Sequence, residues 1–259
     1  MFYEPILDLF ELRHYFDDRP DPVPTRYEKG YREYLCGDGE STQWVPSVTS
    51  VLDYYPKPGL EIWKQRTPEA EQQAILKETG RIGDLVHYAV LDYFVKLDTT
   101  NRLVQKPPAF LLECTDEELA HYQTFLPNTW KMFTEFLWWY GKKIKVVEVE
   151  RFCWNKELGY AGRFDFLFKL YSEKEQRWIM CLGDIKSGKR LPESTGAQLW
   201  AYNSAINLLA EQLWAFHIHP YADDFHGWDF IRLEPDSVGF LNSHAEFKKN
   251  GHKDTDKNP

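Results

Sequence analysis

Two aspartates sit inside strand-like apolar segments. Asp165 lies in GRFDFLFKL (162–170) and Asp184 in WIMCLGDIKSG (178–188), where Lys186 follows at a spacing of two. A carboxylate in the middle of a core strand is costly unless something positive meets it. Strand side chains alternate between faces. That period groups Asp165 with Arg163, Leu167 and Lys169, opposite an apolar row of Phe164, Phe166 and Phe168. It groups Asp184 and Lys186 with Met180 and Leu182. If the two strands pair as a hairpin, the aspartates come side by side near one end of a sheet. Directly opposed carboxylates repel, so their adjacency makes sense with a cation between them. Mg2+ is the hard ion usually held by one or two carboxylates, water and phosphate. Lys186 beside them would orient an attacking water and stabilise charge developing on phosphate. Taken alone, Asp-x-Lys is more often an ion pair on a solvated sheet face, because so short a motif recurs by chance.

Further features weigh against that plainer reading. GYAGRFD leads small residues directly into Asp165, leaving backbone room for a ligand, although a tight inter-strand turn would use the same residues. Gln198 and Tyr202 stand at i and i+4 on the helix expected after the Asp-x-Lys strand, so they project from one face. A phosphate facing them would satisfy both polar groups. In TGRIGDLVHYAVLDYF, Gly80, Gly83 or Asp84, and His87 fall along one helical face, and His87 could complete an Asp/Asp/His site. A lone helical histidine is otherwise usually structural. Glu150, one strand over from Asp165, is the first choice for an acid holding a metal-bound water, with Glu148 the alternative.

The elements that must position these groups follow from periodicity and punctuation. YREYLCGDGESTQWV (31–45) predicts a hairpin about a GDGES turn. A short helix from Ser47, a Pro/Gly break at 56–59 and a second short helix carrying Trp63 come next. Thr67-Pro68-Glu69 starts a helix reaching about Lys96 with a break near Gly80. The capping box Thr115-x-x-Glu118 opens a long amphipathic helix ending at Gly141, kinked at Pro127. From Lys143 three strand-like segments form a meander, followed by a helix over 194–212, two further strands, a helix over 235–248 and a polar tail expected to be disordered. The order predicts one α/β domain over 1–248 with a mixed β-sheet flanked by helices: an N-terminal hairpin and helical lead-in (1–142), a core (143–248) and a tail (249–259).

Composition bounds the possibilities. The 259 residues suffice for a sizeable core, and 43% hydrophobic with 27% charged residues is ordinary for a globular chain. No apolar run approaches the ~18 residues of a membrane span, and the acidic start resembles neither a signal nor a transit peptide. A cytoplasmic location without membrane contact is the expectation. The four cysteines, Cys36, Cys114, Cys153 and Cys181, include no CxxC pair, so buried free thiols are expected rather than disulfides or a zinc knot. A net charge of −9 argues against non-specific coating of nucleic acid while leaving room for a local basic groove or a cation-binding carboxylate cluster. Lys142, Lys143, Lys145, Lys189 and Arg190 flank the expected site and could track a phosphate backbone or simply form a solvated face. Trp63, Trp200 and Tyr140 could stack bases, with ordinary packing the commoner role.

Taken together, GRIGDLVH, GYAGRFD, DIKSGK and QLWAY, in this order, resemble the PD-(D/E)XK nuclease superfamily, in particular its RecB-like branch of phage and recombination exonucleases. The lead-in PSVTSVL…PKPGLEIW is similar too, and the likeness spans roughly 45–205. The resemblance implies a restriction-endonuclease-like core with metal ligation by His87, Asp165, Asp184 and the backbone carbonyl of Ile185. It implies Lys186 as the catalytic lysine, Glu150 as an auxiliary acid, and Gln198 and Tyr202 near the scissile phosphate, with Lys189 and Arg190 on the nucleic acid. The implied cofactor is one or two Mg2+ or Mn2+ ions. The iron–sulfur cluster of one subgroup is not expected, since no cysteine follows Cys181. The implied activity is metal-assisted hydrolysis of DNA, most readily exonucleolytic on ends or single strands, in recombination, repair or phage DNA metabolism within a bacterial or phage-infected cell. Recombination or replication proteins would be its partners, because no helicase motif is present. A catalytically silent DNA-binding or assembly module of the same fold, and a sequence-specific endonuclease, are the alternatives.

Overall fold

A computed structural model describes residues 9–12, 23–27, 30–38, 41–97, 107–220 and 227–250. The elements run α1 (Leu9–Leu12), β1 (Thr25–Arg26), β2 (Glu33–Asp38), β3 (Ser41–Pro46), α2 (Val48–Val51), α3 (Pro58–Arg66), α4 (Glu69–Leu97), α5 (Asp116–Gln123), α6 (Leu126–Tyr140), β4 (Ile144–Asn155), β5 (Tyr160–Ser172), β6 (Arg177–Ser187), α7 (Thr195–Ala205), β7 (Gln212–Ile218), β8 (Trp228–Leu233) and α8 (Ser237–Asn250). The architecture is α/β, as the alternation of periods predicts. A five-stranded sheet is ordered β4-β5-β6-β7-β8, and a three-stranded sheet β1-β2-β3. Within the larger sheet every neighbouring pair is antiparallel except β6 and β7, which run parallel. α7 is the helix between these two parallel strands, the crossover that parallel pairing demands.

Helices cover both faces of this sheet. On one face α4 and α6 bury Leu85, Ala89, Phe94, Phe133 and Phe136 against Phe166, Phe168, Ile185 and Phe216. On the other, α2, α7 and α8 bury Val48, Leu199, Ala201 and Phe240 against Phe164, Leu167 and Leu182. Phe166 stacks on Phe94 at 5.4 Å and on Phe168 at 4.9 Å between ring centroids. Burying each such ring contributes about 2–3 kcal/mol. The small sheet packs Tyr34, Cys36 and Val45 onto Ala161 of β5. All four cysteines are buried and free, as expected. Burial pushes the Cys153 and Cys181 thiols up to about 12.

Several boundaries depart from the sequence expectations for identifiable reasons. α4 runs unbroken through Gly80 and Gly83. A glycine costs about 1 kcal/mol in a helix, and the apolar stripe Ile82, Leu85, Val86 and Ala89, all buried, outweighs it. The helix expected to run from Thr115 to Gly141 is two helices. The capping box forms as predicted at Thr115 and Glu118, but Pro127 sits in the first turn of α6, where its missing N–H is not needed. α7 stops at Ala205 instead of reaching 212, because Asn207 and Leu208 turn left-handed at φ 58° and 55°. The Asn203 side chain secures that turn by bonding both the N–H and the carbonyl of Ala210. Phe164 does not join the row of Phe166 and Phe168 but packs on the opposite face with Leu167. α8 extends to Asn250, so the expected tail is helical at its start, and its remainder, 251–259, lies outside the described residues. Among the described residues no helix is long and apolar enough to cross a membrane.

Candidate active site

At one end of the large sheet a cleft of about 530 Å3 is lined by Asp84 and His87 of α4, Glu150 of β4, Arg163 and Asp165 of β5, Asp184 and Lys186 of β6, and Gln198 and Tyr202 of α7. The small sheet and α2 close it with Thr25, Tyr27, Arg32, Tyr34 and Thr49. The β5–β6 ladder ends at the pair Phe166–Gly183, and Asp165 and Asp184 are the residues just beyond it on the two strands. Val149 pairs with Phe166 and Arg151 with Phe164, which leaves Glu150 facing Asp165 from the other side. Glu150, Asp165 and Asp184, from three adjacent strands, thus line one cleft, with Arg163 beside Glu150 and Lys186 beside Asp184.

The two aspartates are held differently. Asp165 is 7% exposed, and its Oδ2 accepts the backbone N–H of Ile185 at 2.6 Å. The His87 Nδ1 lies 3.7 Å from the same oxygen. The other ring nitrogen, Nε2, donates to the Ile185 carbonyl at 2.7 Å. Asp184 is 1% exposed and accepts from Gln198 Nε2 through Oδ1 at 3.2 Å. Its Oδ2 stands 2.5 Å from Lys186 Nζ in a buried ion pair. Burial, with Asp165 adding to it against the pull of Lys186, pushes the Asp184 carboxyl up to about 6. Burial likewise raises Asp84 and holds the Tyr202 phenol well above its usual range, hence protonated.

Lys186, Gln198 and Tyr202 form one chain of contacts. Lys186 Nζ donates to Gln198 Oε1 at 3.1 Å, and Gln198 Nε2 lies 3.4 Å from the Tyr202 hydroxyl. Gln198 therefore ties the lysine to Asp184 from a different element. The glycines of this region serve packing. A side chain at Gly162 would meet the Tyr202 ring at 2.5 Å, so the room left by GYAG is filled by that tyrosine rather than kept for a ligand. A side chain at Gly183 would meet the Phe166 ring at 2.3 Å.

Glu150 and Glu148 were indistinguishable by strand period, yet they part. The register shift between Val146 and Glu148 precedes both residues, and it is the left-handed φ of 51° at Glu150 that sets the two apart, with only Glu150 lining the cleft. Such a φ costs a non-glycine residue about 1–2 kcal/mol, a strain of the kind that clusters at functional sites. Arg163 lies 3.9 Å from the Glu150 carboxylate. Glu148 pairs with Arg151 and lines a separate cavity of about 290 Å3.

The donor set suits a hard divalent ion. His87, Glu150 and Asp165 each offer one atom, all within 4.8 Å of one another. Asp184, ion-paired with Lys186, lines the same cleft but is not one of the three clustered donors. Of the other sequence candidates, Lys189 and Arg190 are exposed on the turn after β6, outside the cleft lining. Trp200 packs against Phe240, and Tyr140 against Phe136 and Phe230. Trp63 is half-buried on α3, away from the cleft lining. Sequence reasoning missed Arg32 and Thr49, joined by a 3.0 Å hydrogen bond. They reach the cleft because Ser47 bridges to Ala161 in parallel, a long-range pairing with no local signal.

No protein-family model matches the sequence, and no curated protein matches it. The crystal structure of SSO0001 is similar over 54% of this chain and 67% of that chain, at 15% identity and a TM-score of 0.28, too slight a likeness to bear on function.

Proposed function

We propose that the protein is a Mg2+- or Mn2+-dependent deoxyribonuclease that hydrolyses phosphodiester bonds, acting as an exonuclease on DNA ends or single strands. The observation that carries this reading is Asp184: a carboxylate 1% exposed, ion-paired with Lys186, its pKa raised by burial and by the charge of Asp165, lining an open cleft together with His87, Glu150 and Asp165. The resemblance to RecB-like nucleases agrees with it. Asp165, Asp184, His87 and the Ile185 carbonyl would hold the metal, with Glu150 beside them. A divalent ion held there would supply Lewis-acid chemistry: a more acidic water and stabilisation of negative charge on phosphate.

The chain's own residues supply the rest. Lys186, fixed by Gln198 and Asp184, presents its ammonium to the attacking water or to charge growing on the phosphate. Tyr202, kept protonated, offers a neutral donor to the phosphate, while Gln198 spends its amide hydrogens on Asp184 and Tyr202. Arg32 and Arg163 bring fixed positive charge to the rim of an otherwise acidic cleft, where a DNA backbone would pass. His87 donates from Nε2 to the Ile185 carbonyl, which leaves Nδ1, 3.7 Å from Asp165 Oδ2, as the nitrogen with a lone pair for a metal.

The test is digestion of end-labelled single-stranded, duplex and closed circular DNA with Mg2+ or Mn2+, beside Lys186→Ala and Asp184→Ala. Metal-dependent shortening of linear substrates, sparing of circles, and losses of about 100-fold or more in both variants are expected. Cut circles would make it an endonuclease. DNA bound but uncut, or variants as active as the wild type, would overturn the reading.

A further inference from the structure

At the far side of the large sheet, His217, His219 and Asp229 each offer a ligand atom, and the three atoms lie within 4.8 Å of one another. The geometry comes from the strands. His217 pairs with Asp229 across β7 and β8, so their side chains share a face. His219, two residues beyond His217, returns to that face, and the two imidazole centroids are 4.0 Å apart. None of the three lines the cleft described above.

We propose that His217, His219 and Asp229 form a second metal site, selective for a borderline divalent cation of the zinc class rather than for Mg2+. Two imidazoles and one carboxylate are the donors that such ions take, whereas Mg2+ prefers an all-oxygen octahedron. His217 is 2% exposed, and its Nε2 donates to the Gly188 carbonyl at 3.0 Å. That bond leaves the Nδ1 lone pair for a metal and is the outer hydrogen bond that metal-ligating histidines ordinarily make. Burial and the neighbouring His219 keep His217 neutral, the form that ligates. His219 already approaches Asp229 Oδ2 with its Nε2 at 3.1 Å, and these two side chains are 24% and 57% exposed, so an ion can enter. Tetrahedral bonds of about 2.1 Å place ligand atoms about 3.4 Å apart. The more exposed pair has the freedom to close that last distance.

The site has a structural consequence. Gly188, with φ 118°, opens the turn after Lys186, and His217 pairs with Lys186 in the parallel β6–β7 register. A metal here would fasten the exit of the lysine-bearing strand to the β7–β8 edge. The inference does not depend on the nuclease reading.

The test is a titration of the chelator-stripped full chain with Zn2+ and Mg2+ by calorimetry, and with Co2+ by visible ligand-field absorption. One equivalent of Zn2+ is expected to bind and raise Tm in the presence of excess Mg2+. Co2+ should give the intense visible bands of a four-coordinate N/O site. His219→Ala should weaken that binding at least 10-fold and Asp229→Ala should weaken it measurably, while His87→Ala, which removes the histidine of the other cleft, should leave it unchanged. His219 is partly exposed, so its variant should fold, which Tm without metal checks. Absence of Zn2+ binding, an unchanged affinity in His219→Ala, or loss of the site in His87→Ala would each overturn the proposal.

Discussion

His87 on α4 and Ile185 on β6 are joined side chain to backbone: the imidazole Nε2 donates to the carbonyl at 2.7 Å. The Ile185 N–H is taken by Asp165 at 2.6 Å, so both polar groups of the residue between Asp184 and Lys186 are spoken for by site residues. The strand that carries the lysine is therefore aimed by contacts that a metal would compete for.

His87→Ala should show that double duty. Removing the ring costs the Ile185 carbonyl its partner, a loss of about 1–3 kcal/mol read by chemical denaturation. If His87 also ligates, cleavage should become more demanding of metal: the half-saturating Mn2+ concentration rises at least 10-fold, with a smaller fall in the maximal rate. An unchanged metal requirement would leave His87 as a structural tie alone.

Asp184 offers a test that needs no DNA. Ionised and buried, it weakens the metal-free fold, and any ion that binds the folded form alone adds stability by mass action. Metal-free Asp184→Asn should melt no lower than the wild type, since Lys186 keeps its bond to Gln198. Saturating Mg2+ or Mn2+ should raise Tm by several degrees in the wild type and by less than about one degree in the variant. Equal metal shifts in both proteins would remove Asp184 from the ligand set.

Gly183 shows how tightly core and site are linked. A methyl group there would overlap the Phe166 ring, which is itself wedged between Phe94 and Phe168. Gly183→Ala should lose about 1–3 kcal/mol, a Tm drop of roughly 2–10 °C. The ring can yield only by pushing on the strand next to Asp184, so any nuclease activity should fall with stability. A melting curve matching the wild type would contradict this packing.

The parts of this molecule readable in sequence are those encoded locally. The alternation in 143–187 predicts three strands, and their antiparallel pairing then brings Asp165 and Asp184 into one cleft. The i, i+4 spacing puts Gln198 and Tyr202 on one face, where they bond each other and Gln198 reaches Asp184. Illegible were the features set by distant partners or irregular backbone. Arg32 enters the cleft through the Ser47–Ala161 bridge, and Glu150 separates from Glu148 through its own left-handed backbone. Phe164 swaps faces in the strand that β4 distorts. No side-chain period records a bulge, because the same residues would read identically in a regular strand.

His244 on α8 gives the fold a titratable weak point away from the cleft. It is 4% exposed, lies between Phe240 and Tyr160, and its Nε2 is buried without a hydrogen bond among the described residues. Burial, with Lys248 adding its charge, pushes its pKa down from 6.5 to about 4. Above pH 6.5 neither the folded nor the unfolded chain holds this proton, so stability is unaffected. As pH falls from 6.5 towards 4, the unfolded chain binds the proton and the folded one does not, so stability declines through that window. The loss is about 1–2 kcal/mol, less than the full shift because solvent screens part of the charge. His244→Leu should therefore narrow the gap between denaturation free energies measured with chelator at pH 7.5 and pH 4.5 by that amount. His217, lowered by burial as well, should sustain part of the remaining slope. A variant whose acid sensitivity equals that of the wild type would show that this imidazole accepts its proton in the folded protein as readily as in the unfolded chain.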